Sequence, residues 1–484
     1  MANSIPELIL SKNWRLGYQN TFYDSFDIKN KVRKFANGLK NLGIKKGDFV
    51  AILSKNRPEW VIADLAILSL GAVVVTIHLN LDQKTVQYIL DDSKPKILMT
   101  DSMDHVKDIN IKKIEIILCD DIESYFKEGP LTFIPKRSDL ATIVYTSGTT
   151  GMPKGVMLTH GNLLHNVENT LLPLHNETLL SYLPLTHCFE RLAGYYYILS
   201  HGSTLIFSQG FHHLEQEFIR IKPTVMTTVP LLLEHIERQF PEWMPKFLVS
   251  FLLKKRLGGR LKFFICGGAT LNECVEQFFW SEGIPVYKGY GLTETSPVVS
   301  VNTPREHRLG SVGKPLKHVQ IKIIRKEIYI KGPNVMKGYL HQRKKTNDVI
   351  KKDWFATGDI GELKDGFLFV EGRKKHVIVT ENGEDISPEF VEAKLRGSKI
   401  IHNVMIIGDD RDYLVALVVS KSDRKKIGKD IIRINQTLPS FMRVHDFRVV
   451  PVFSIEDNTL SISHKLKRQV IEEKYKDLIE EMYS

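Results

Sequence analysis

Cysteine is scarce: this chain of 484 residues has four, Cys119, Cys188, Cys266 and Cys274, far apart and without a CxxC pair. That pattern gives no sign of a zinc ribbon, a dithiol redox centre or a disulfide-stapled scaffold, and it predicts the reduced thiols of a cytosolic protein. Long apolar runs are missing too. The most hydrophobic stretch, residues 65–77, contains Ser69, Gly71 and Thr76 and falls short of the roughly 20 residues needed to span a bilayer. It reads as a buried helix running into a strand, with Gly71 at the join. The first residues show no basic leader and no small-residue cleavage site, so no signal peptide is expected. No internal repeat and no low-complexity segment occurs. Lys and Arg number 67 against 56 Asp and Glu, a net charge of +11. The densest basic runs, Lys254-Lys255-Arg256, Arg343-Lys344-Lys345 and Lys351-Lys352, lack interleaved aromatics. They read as solvated faces, and no nucleic-acid partner is expected.

The composition is that of a globular protein, 43% hydrophobic and 25% charged, at a length that exceeds one core. Helical periodicity over residues 30–42 precedes a strand pattern at residues 49–53, and a helix pattern at 59–69 precedes Val73-Val74-Val75-Thr76-Ile77. Short apolar runs follow at 96–99 and 114–119. The alternation predicts an α/β protein with a large multi-layer N-terminal domain, residues 1–373, built on mixed or parallel sheets. Another strand pattern at 261–265 ends at Gly267-Gly268-Ala269, ahead of a helix beginning near Leu271. Composition changes near Gly372-Arg373-Lys374-Lys375. Beyond it a helix over 385–395, strands at 404–407 and 413–419 and a terminal helix over 470–482 predict a small α+β C-terminal domain, residues 374–484.

The strongest local signal is Tyr145-Thr146-Ser147-Gly148-Thr149-Thr150-Gly151-Met152-Pro153-Lys154-Gly155. Glycines permit close backbone approach, hydroxyls and amides can donate to phosphate oxygens, and Lys154 adds a charge. It is not a Walker A loop, since no Gly-Lys-Ser/Thr occurs and a strand pattern, Val156-Met157-Leu158, follows. By composition alone it is either a phosphate cradle or a flexible Ser/Thr/Gly turn.

This segment and its continuation to His160 resemble the phosphate-loop signature of the AMP-forming acyl/aryl-CoA synthetase superfamily. Further signatures follow in family order. Gly289-Tyr290-Gly291-Leu292-Thr293-Glu294 resembles the aromatic-plus-acid motif, and Trp354-Phe355-Ala356-Thr357-Gly358-Asp359 the ribose-binding motif. Gly372-Arg373-Lys374-Lys375 resembles the interdomain hinge, and residues 382–388 the loop that opens the small domain. Residues 43–50 and 56–60 fit the family's opening, so the resemblance covers nearly the whole chain. Tyr182-Leu183-Pro184-Leu185-Thr186-His187-Cys188-Phe189-Glu190-Arg191 and the ending Lys465-Leu466-Lys467-Arg468 are similar to the long-chain fatty acyl-CoA synthetase branch.

Singly, several of these residues have plainer readings: Tyr290 as a core tyrosine, Glu294 as a surface carboxylate, Asp359 as a turn former, Arg373 as a rim charge, His187 as a satisfied, half-buried histidine. The resemblance implies more. Thr146, Ser147, Gly148, Thr149, Thr150, Gly151 and Lys154 would cradle phosphates. Tyr290 and Gly291 would stack on adenine opposite Gly267, Gly268 and Ala269, and Thr293 would donate to the α-phosphate. Glu294 would hold Mg2+, Asp359 would accept from the ribose hydroxyls, and Arg373 would contact the nucleotide. His187 would position substrate where acyl chain, nucleotide and thiol meet. Lys375 would be the hinge, Gly383 would belong to the pantetheine channel, and Lys465, with Lys467 as its rival, would be the adenylation lysine.

The implied activity is ATP-dependent activation of a long-chain fatty acid through acyl-AMP to acyl-CoA, using ATP, Mg2+ and coenzyme A. An acyl carrier protein is a rival acceptor, and an inactive nucleotide-binding homologue is the reading from a different class. A cytoplasmic location, with peripheral contact at the membrane as an alternative, is the accompanying expectation; oligomeric state is not implied. The chain departs from the pattern in four places. Residues 234–259 are shorter than the insertion long-chain enzymes usually carry, Leu231 stands where arginine is common, His376 replaces a frequent acidic residue, and Ser461-Ile462-Ser463-His464 differs from the usual ending.

Overall fold

The computed structural model describes residues 2–131, 135–146, 152–170, 172–241, 243–381, 384–454, 456–460 and 465–484. Among the described residues, two large sheets carry the N-terminal region. One has seven strands, in the order Gly338–Tyr339, Lys154–Thr159, Leu140–Thr146, Val73–Thr76, Phe49–Leu53, Ile97–Thr100, Glu115–Leu118. Its five strands from Leu140–Thr146 to Glu115–Leu118 run parallel, and the hairpin Leu140–Thr146/Lys154–Thr159 adds antiparallel strands. The other has nine, with a parallel centre of Thr204–Phe207, Thr178–Ser181, Val225–Thr228, Phe263–Cys266 and Val286–Gly291. Their central strands are apolar runs rather than alternations because helices or the other sheet cover both faces.

The helix Pro58–Ser69 shows how the two sheets are joined. Proline opens it at a position that needs no amide donor, and apolar residues surround it on every side, so it is buried from Pro58 to Ser69 except at Glu59. One continuous core takes in this helix together with Val50 and Ile52 of the first sheet and Leu179, Leu205 and Ile265 of the second. Gly71 then turns the chain at φ 69° into Val73–Thr76, the helix-to-strand join expected for residues 65–77. A polar pair stands inside this core. Arg191 bonds Asp64, whose other oxygen accepts from the Tyr196 hydroxyl at 2.8 Å, and the Arg191 guanidinium donates to Thr142 Oγ1 at 2.7 Å. Burying a charge uncompensated would cost several kcal/mol; here the two charges face each other and hydroxyls of Tyr196 and Thr142 add hydrogen bonds, while Arg191 Nε has no partner among the described residues.

A five-stranded sheet, including Trp354–Lys364 and Phe367–Arg373, closes the N-terminal region. Past Arg373 comes a one-turn helix, Lys374–His376. The strands Asn403–Ile407, Leu414–Val419 and Val444–Val449 follow, with apolar clusters on both faces of their sheet. Two expectations for this region need correction. Residues 385–395 are not one helix: Asp385–Ile386 pairs with Ile378–Val379, and the helix Pro388–Arg396 starts at its proline. The terminal helix is two, Arg468–Lys474 and Lys476–Glu480, interrupted at Tyr475. All four cysteines are free thiols, and no helix of the described residues is long and apolar enough to cross a membrane.

Candidate active site

A cleft of about 3160 Å³ opens at the ends of the strands of both large sheets and is also lined by residues beyond position 374. A pocket for one small ligand is typically a third of that or less, so several ligands fit side by side. Many of its wall segments directly follow strands of the two sheets.

The hairpin Leu140–Thr146/Lys154–Thr159 sets Thr146 directly opposite Lys154, both on the cleft. The Lys154 ammonium lies 4.8 Å from the centre of the Tyr339 ring. Its pKa is lowered, first by burial and then by Lys345, while Glu294 pulls it up. Ser147, Gly148, Thr149, Thr150 and Gly151 lie outside the described residues.

Opposite, the strand Phe263–Cys266 ends in Gly267, Gly268 and Ala269. Gly268 sits at φ 87°, and a Cβ on Gly267 would come within 3.3 Å of the Phe189 ring. The adjacent strand Val286–Gly291 delivers Tyr290 and Gly291. A side chain is barred at Gly291, because its Cβ would lie 1.7 Å from the Pro297 carbonyl oxygen. The next turn, Thr293–Thr295, presents Thr293 and Glu294 to the cleft. The Tyr339 hydroxyl donates to Glu294 Oε1 at 2.9 Å, and the Glu294 carbonyl accepts from Met336 N at 2.8 Å.

Asp359 stands on Trp354–Lys364 in register with Arg373 on Phe367–Arg373. Arg373 Nε reaches Asp359 Oδ1 at 2.7 Å, and the Tyr290 hydroxyl donates to Oδ2 at 2.6 Å. Burial raises the Asp359 pKa while Arg373 and the Tyr290 hydrogen bond act to lower it; Tyr290 is pushed up by burial and by Asp359. Thus Tyr290 and Asp359, distant in sequence, form one unit. Lys374 pairs with Glu327 at 2.8 Å, and Lys375 lines the cleft between Lys374 and His376, which pairs with Glu389.

Lys465 comes from the C-terminal region, beyond the expected hinge, and is open to the cleft. Its pKa is lowered by enclosure in protein and then by Arg373, and raised by Asp359, Glu294 and Glu389. It therefore shares a field with the expected ribose and metal carboxylates. Lys467 also lines the cleft, but its ammonium is engaged by Asn458 Oδ1. His187 also faces the cleft, and its pKa is pushed down by enclosure and then by Lys465 and His78. It precedes the π-helix Glu190–Tyr196, which Arg191 and Tyr196 tie to Asp64.

The structure thus gathers Thr146, Lys154, His187, Gly267, Gly268, Ala269, Tyr290, Gly291, Thr293, Glu294, Asp359, Arg373, Lys375 and Lys465 around one cleft. Gly383 lies outside the described residues. Sequence reasoning missed Tyr339, which orients Glu294, and Glu389, which faces both His376 and Lys465. Neither carries a local motif; the Gly338–Tyr339 strand, pairing with Lys154–Thr159, is the one feature that could have exposed the first.

The fold is that of adenylate-forming enzymes. The fold matches an anthranilate CoA ligase solved with anthranoyl-AMP, with a TM-score of 0.84 at 19% identity over 97% of each chain. It also matches the O-succinylbenzoate coenzyme A synthetase of Bacillus subtilis in complex with ATP and magnesium ion, with a TM-score of 0.81 at 25% identity over 97% of this chain and 99% of the other. In sequence the chain is 28% identical over 551 aligned positions to long-chain-fatty-acid–CoA ligase FadD15 of Mycobacterium bovis, covering 94% of this chain and 91% of the relative. The AMP-binding enzyme family matches residues 21–340, and the AMP-binding enzyme C-terminal domain matches residues 375–484. The chain belongs to the AMP-binding enzyme family.

The family implies magnesium, and the donors present suit it. No group of three or more His, Cys, Asp or Glu is gathered among the described residues, so they form no all-protein cage. Magnesium is commonly held by one or two carboxylates with substrate phosphates and water completing its shell, and Glu294, hydrogen-bonded by Tyr339 and close enough to Lys154 to act on its charge, is placed as a candidate for such a carboxylate.

Proposed function

We propose that this protein activates a long-chain fatty acid with ATP, through an acyl-AMP, to acyl-CoA, releasing pyrophosphate and then AMP. The observation that carries the reading is the meeting of Lys465, from beyond the hinge, with Asp359, Arg373 and Glu294 in one cleft. The name of the M. bovis relative supports the substrate class.

In this reading Tyr290 and the Gly267–Gly268–Ala269 turn hold adenine between them. Asp359 accepts from the ribose hydroxyls, since each of its oxygens retains a lone pair beside its bond to Arg373 or Tyr290. Thr146, Lys154 and the Ser147–Gly151 segment take the phosphates, and Thr293 donates to the α-phosphate. Magnesium bound at Glu294 would neutralise part of the triphosphate charge. The fatty carboxylate oxygen attacks the α-phosphorus, and the bond to pyrophosphate breaks. Lys465 follows the negative charge as it passes to the leaving group; such preorganised stabilisation is commonly the largest contribution to catalysis. Coenzyme A thiolate then attacks the acyl carbonyl, and AMP leaves with the electron pair of the broken C–O bond. His187 positions the acyl carboxylate for both steps. The region from 374 onward rotates about Lys375, withdrawing Lys465 and bringing the Gly383 loop to the thiol channel. A cytoplasmic location with peripheral membrane contact belongs to the same proposal.

The test separates the half-reactions. Lys465→Ala is expected to abolish AMP and pyrophosphate formation from fatty acid and Mg·ATP, yet keep thioester formation from supplied acyl-AMP. Equal loss of both would refute the assigned role. Product turning up only with an acyl carrier protein, and never with coenzyme A, would overturn the acceptor.

A further inference from the structure

The helix Lys246–Arg256 has two faces of different character. Val249, Leu253 and the following Leu257 enter the core on the outer side of the nine-stranded sheet. On the other side Trp243, Phe247 and Phe251, spaced four apart, are 81%, 77% and 62% exposed. Because the inward face is committed to the core, these rings cannot be buried by rotating the helix. Exposed Lys246 stands at its start and exposed Lys254 and Lys255 at its end, with no ion pair to any of them among the described residues. Arg256 alone in this run is neutralised, through Glu215 at 3.7 Å.

We propose that this face docks the protein on an anionic lipid bilayer, Trp243, Phe247 and Phe251 entering the headgroup boundary and Lys246, Lys254 and Lys255 meeting lipid phosphates. Aromatic rings framed by lysines suit that boundary. Protein partners are a poorer match, since lysine is depleted from protein–protein interfaces. The choice of a membrane also rests on the fatty-acid reading above. The helix Pro230–Arg238, which lines the cleft with Leu231 and His235, leads directly into this face, so docking sets the cleft wall close to a reservoir of apolar substrate. The dense run Lys254-Lys255-Arg256 is then more than a solvated surface.

The test uses the intact protein and flotation with vesicles of phosphatidylglycerol and phosphatidylcholine, against phosphatidylcholine alone. Wild type floats with the anionic vesicles. Phe247→Ala and Phe251→Ala each lower the partition coefficient about tenfold, and Lys254→Glu and Lys255→Glu about fivefold or more apiece, an effect that shrinks in high salt. Trp243 is the one strongly exposed tryptophan of the five, so lipids brominated in the acyl chain quench fluorescence that Trp243→Phe removes. Unchanged melting temperature and unchanged acyl-AMP formation in detergent-free solution show that the variants are folded. No flotation of wild type, flotation indifferent to the Phe247→Ala/Phe251→Ala pair, or a dimer in solution that this pair dissolves, the face then covering a second copy, would each overturn the proposal. Flotation needs no turnover: a protein that floats but makes no acyl-AMP refutes the ligase reading alone, and an active protein that does not float refutes docking alone.

Discussion

Glu294 illustrates what a sequence can and cannot show at the scale of a residue. Its motif implies a magnesium ligand by resemblance alone, but its orientation depends on the Tyr339 hydroxyl, 45 positions away. Such a contact leaves no periodicity or spacing behind. The Tyr290–Asp359 bond, 69 positions apart, was hidden for the same reason, although each partner was legible separately. Tyr339→Phe keeps the ring that Lys154 approaches and removes only the donor. It is expected to raise KM for Mg·ATP about tenfold, the worth of one hydrogen bond to a charged group, while AMP affinity measured by calorimetry stays put. Equal weakening of both would mean that the hydroxyl supports the nucleotide pocket as a whole and not the orientation of Glu294 for magnesium. A second residue acts on stability. His160 is fully buried, accepts from the Ile5 amide at Nδ1, and has its pKa pushed down to about 4, mainly by burial. The unfolded chain binds this proton near pH 6.5, so between there and about pH 4 the unfolded state holds more protons. The stabilising contribution is complete above pH 6.5 and is lost as pH falls, by about 3 kcal/mol at most. Denaturant titrations across that range should show the slope in wild type and a flatter one in His160→Gln; parallel slopes would refute the assignment.

At the scale of elements, strand and helix identities in the first third were legible because fully buried parallel strands and their helices differ so plainly in length and pattern. The C-terminal region was less so. Pro388 opens its helix, as proline at a first helical position does, yet Asp385 and Ile386 ahead of it carry enough helical pattern to mask a short strand. The interruption at Tyr475 has no breaker residue beside it. The strand Val286–Gly291 offers the sharper test. Its register shifts between Tyr290 and Gly291 against Val298–Val301, and the backbone there passes so close to Pro297 that only glycine fits. Gly291→Ala should cost roughly 3 kcal/mol by overpacking and weaken AMP binding by displacing Tyr290. Gly267→Ala, which meets only the edge of the Phe189 ring at 3.3 Å, should cost distinctly less. Thermal melts with and without AMP measure both, and equal costs would contradict the strand's role in placing Tyr290.

At the scale of the molecule, Gly372-Arg373-Lys374-Lys375 implies a hinge, but what holds the regions on either side of it together was not legible, because most of the bonds run to backbone carbonyls that any sequence supplies. Arg238 donates to the carbonyls of Arg396 and Ile401 at 3.3 and 3.0 Å, and Lys399 reaches back to the Phe240 carbonyl and, at 3.5 Å, to Glu237. Asn272 joins the carbonyl of Ala393. These contacts fasten the helix Pro388–Arg396 and its neighbours to the N-terminal region in the arrangement that places Lys465 in the cleft. If acyl-AMP formation uses this arrangement and thioester formation another, loosening the fastening taxes only the first. Arg238→Ala leaves the two carbonyls free to bind water instead. Hydrogen bonds from a charged donor contribute roughly 1.5–3 kcal/mol, so the population holding Lys465 in place should fall about tenfold or more. Acyl-AMP formation should drop accordingly, while thioester formation from supplied acyl-AMP holds or quickens, and protease cutting near Lys374 should become faster. Loss of both half-reactions together would instead assign Arg238 to the cleft wall it also lines.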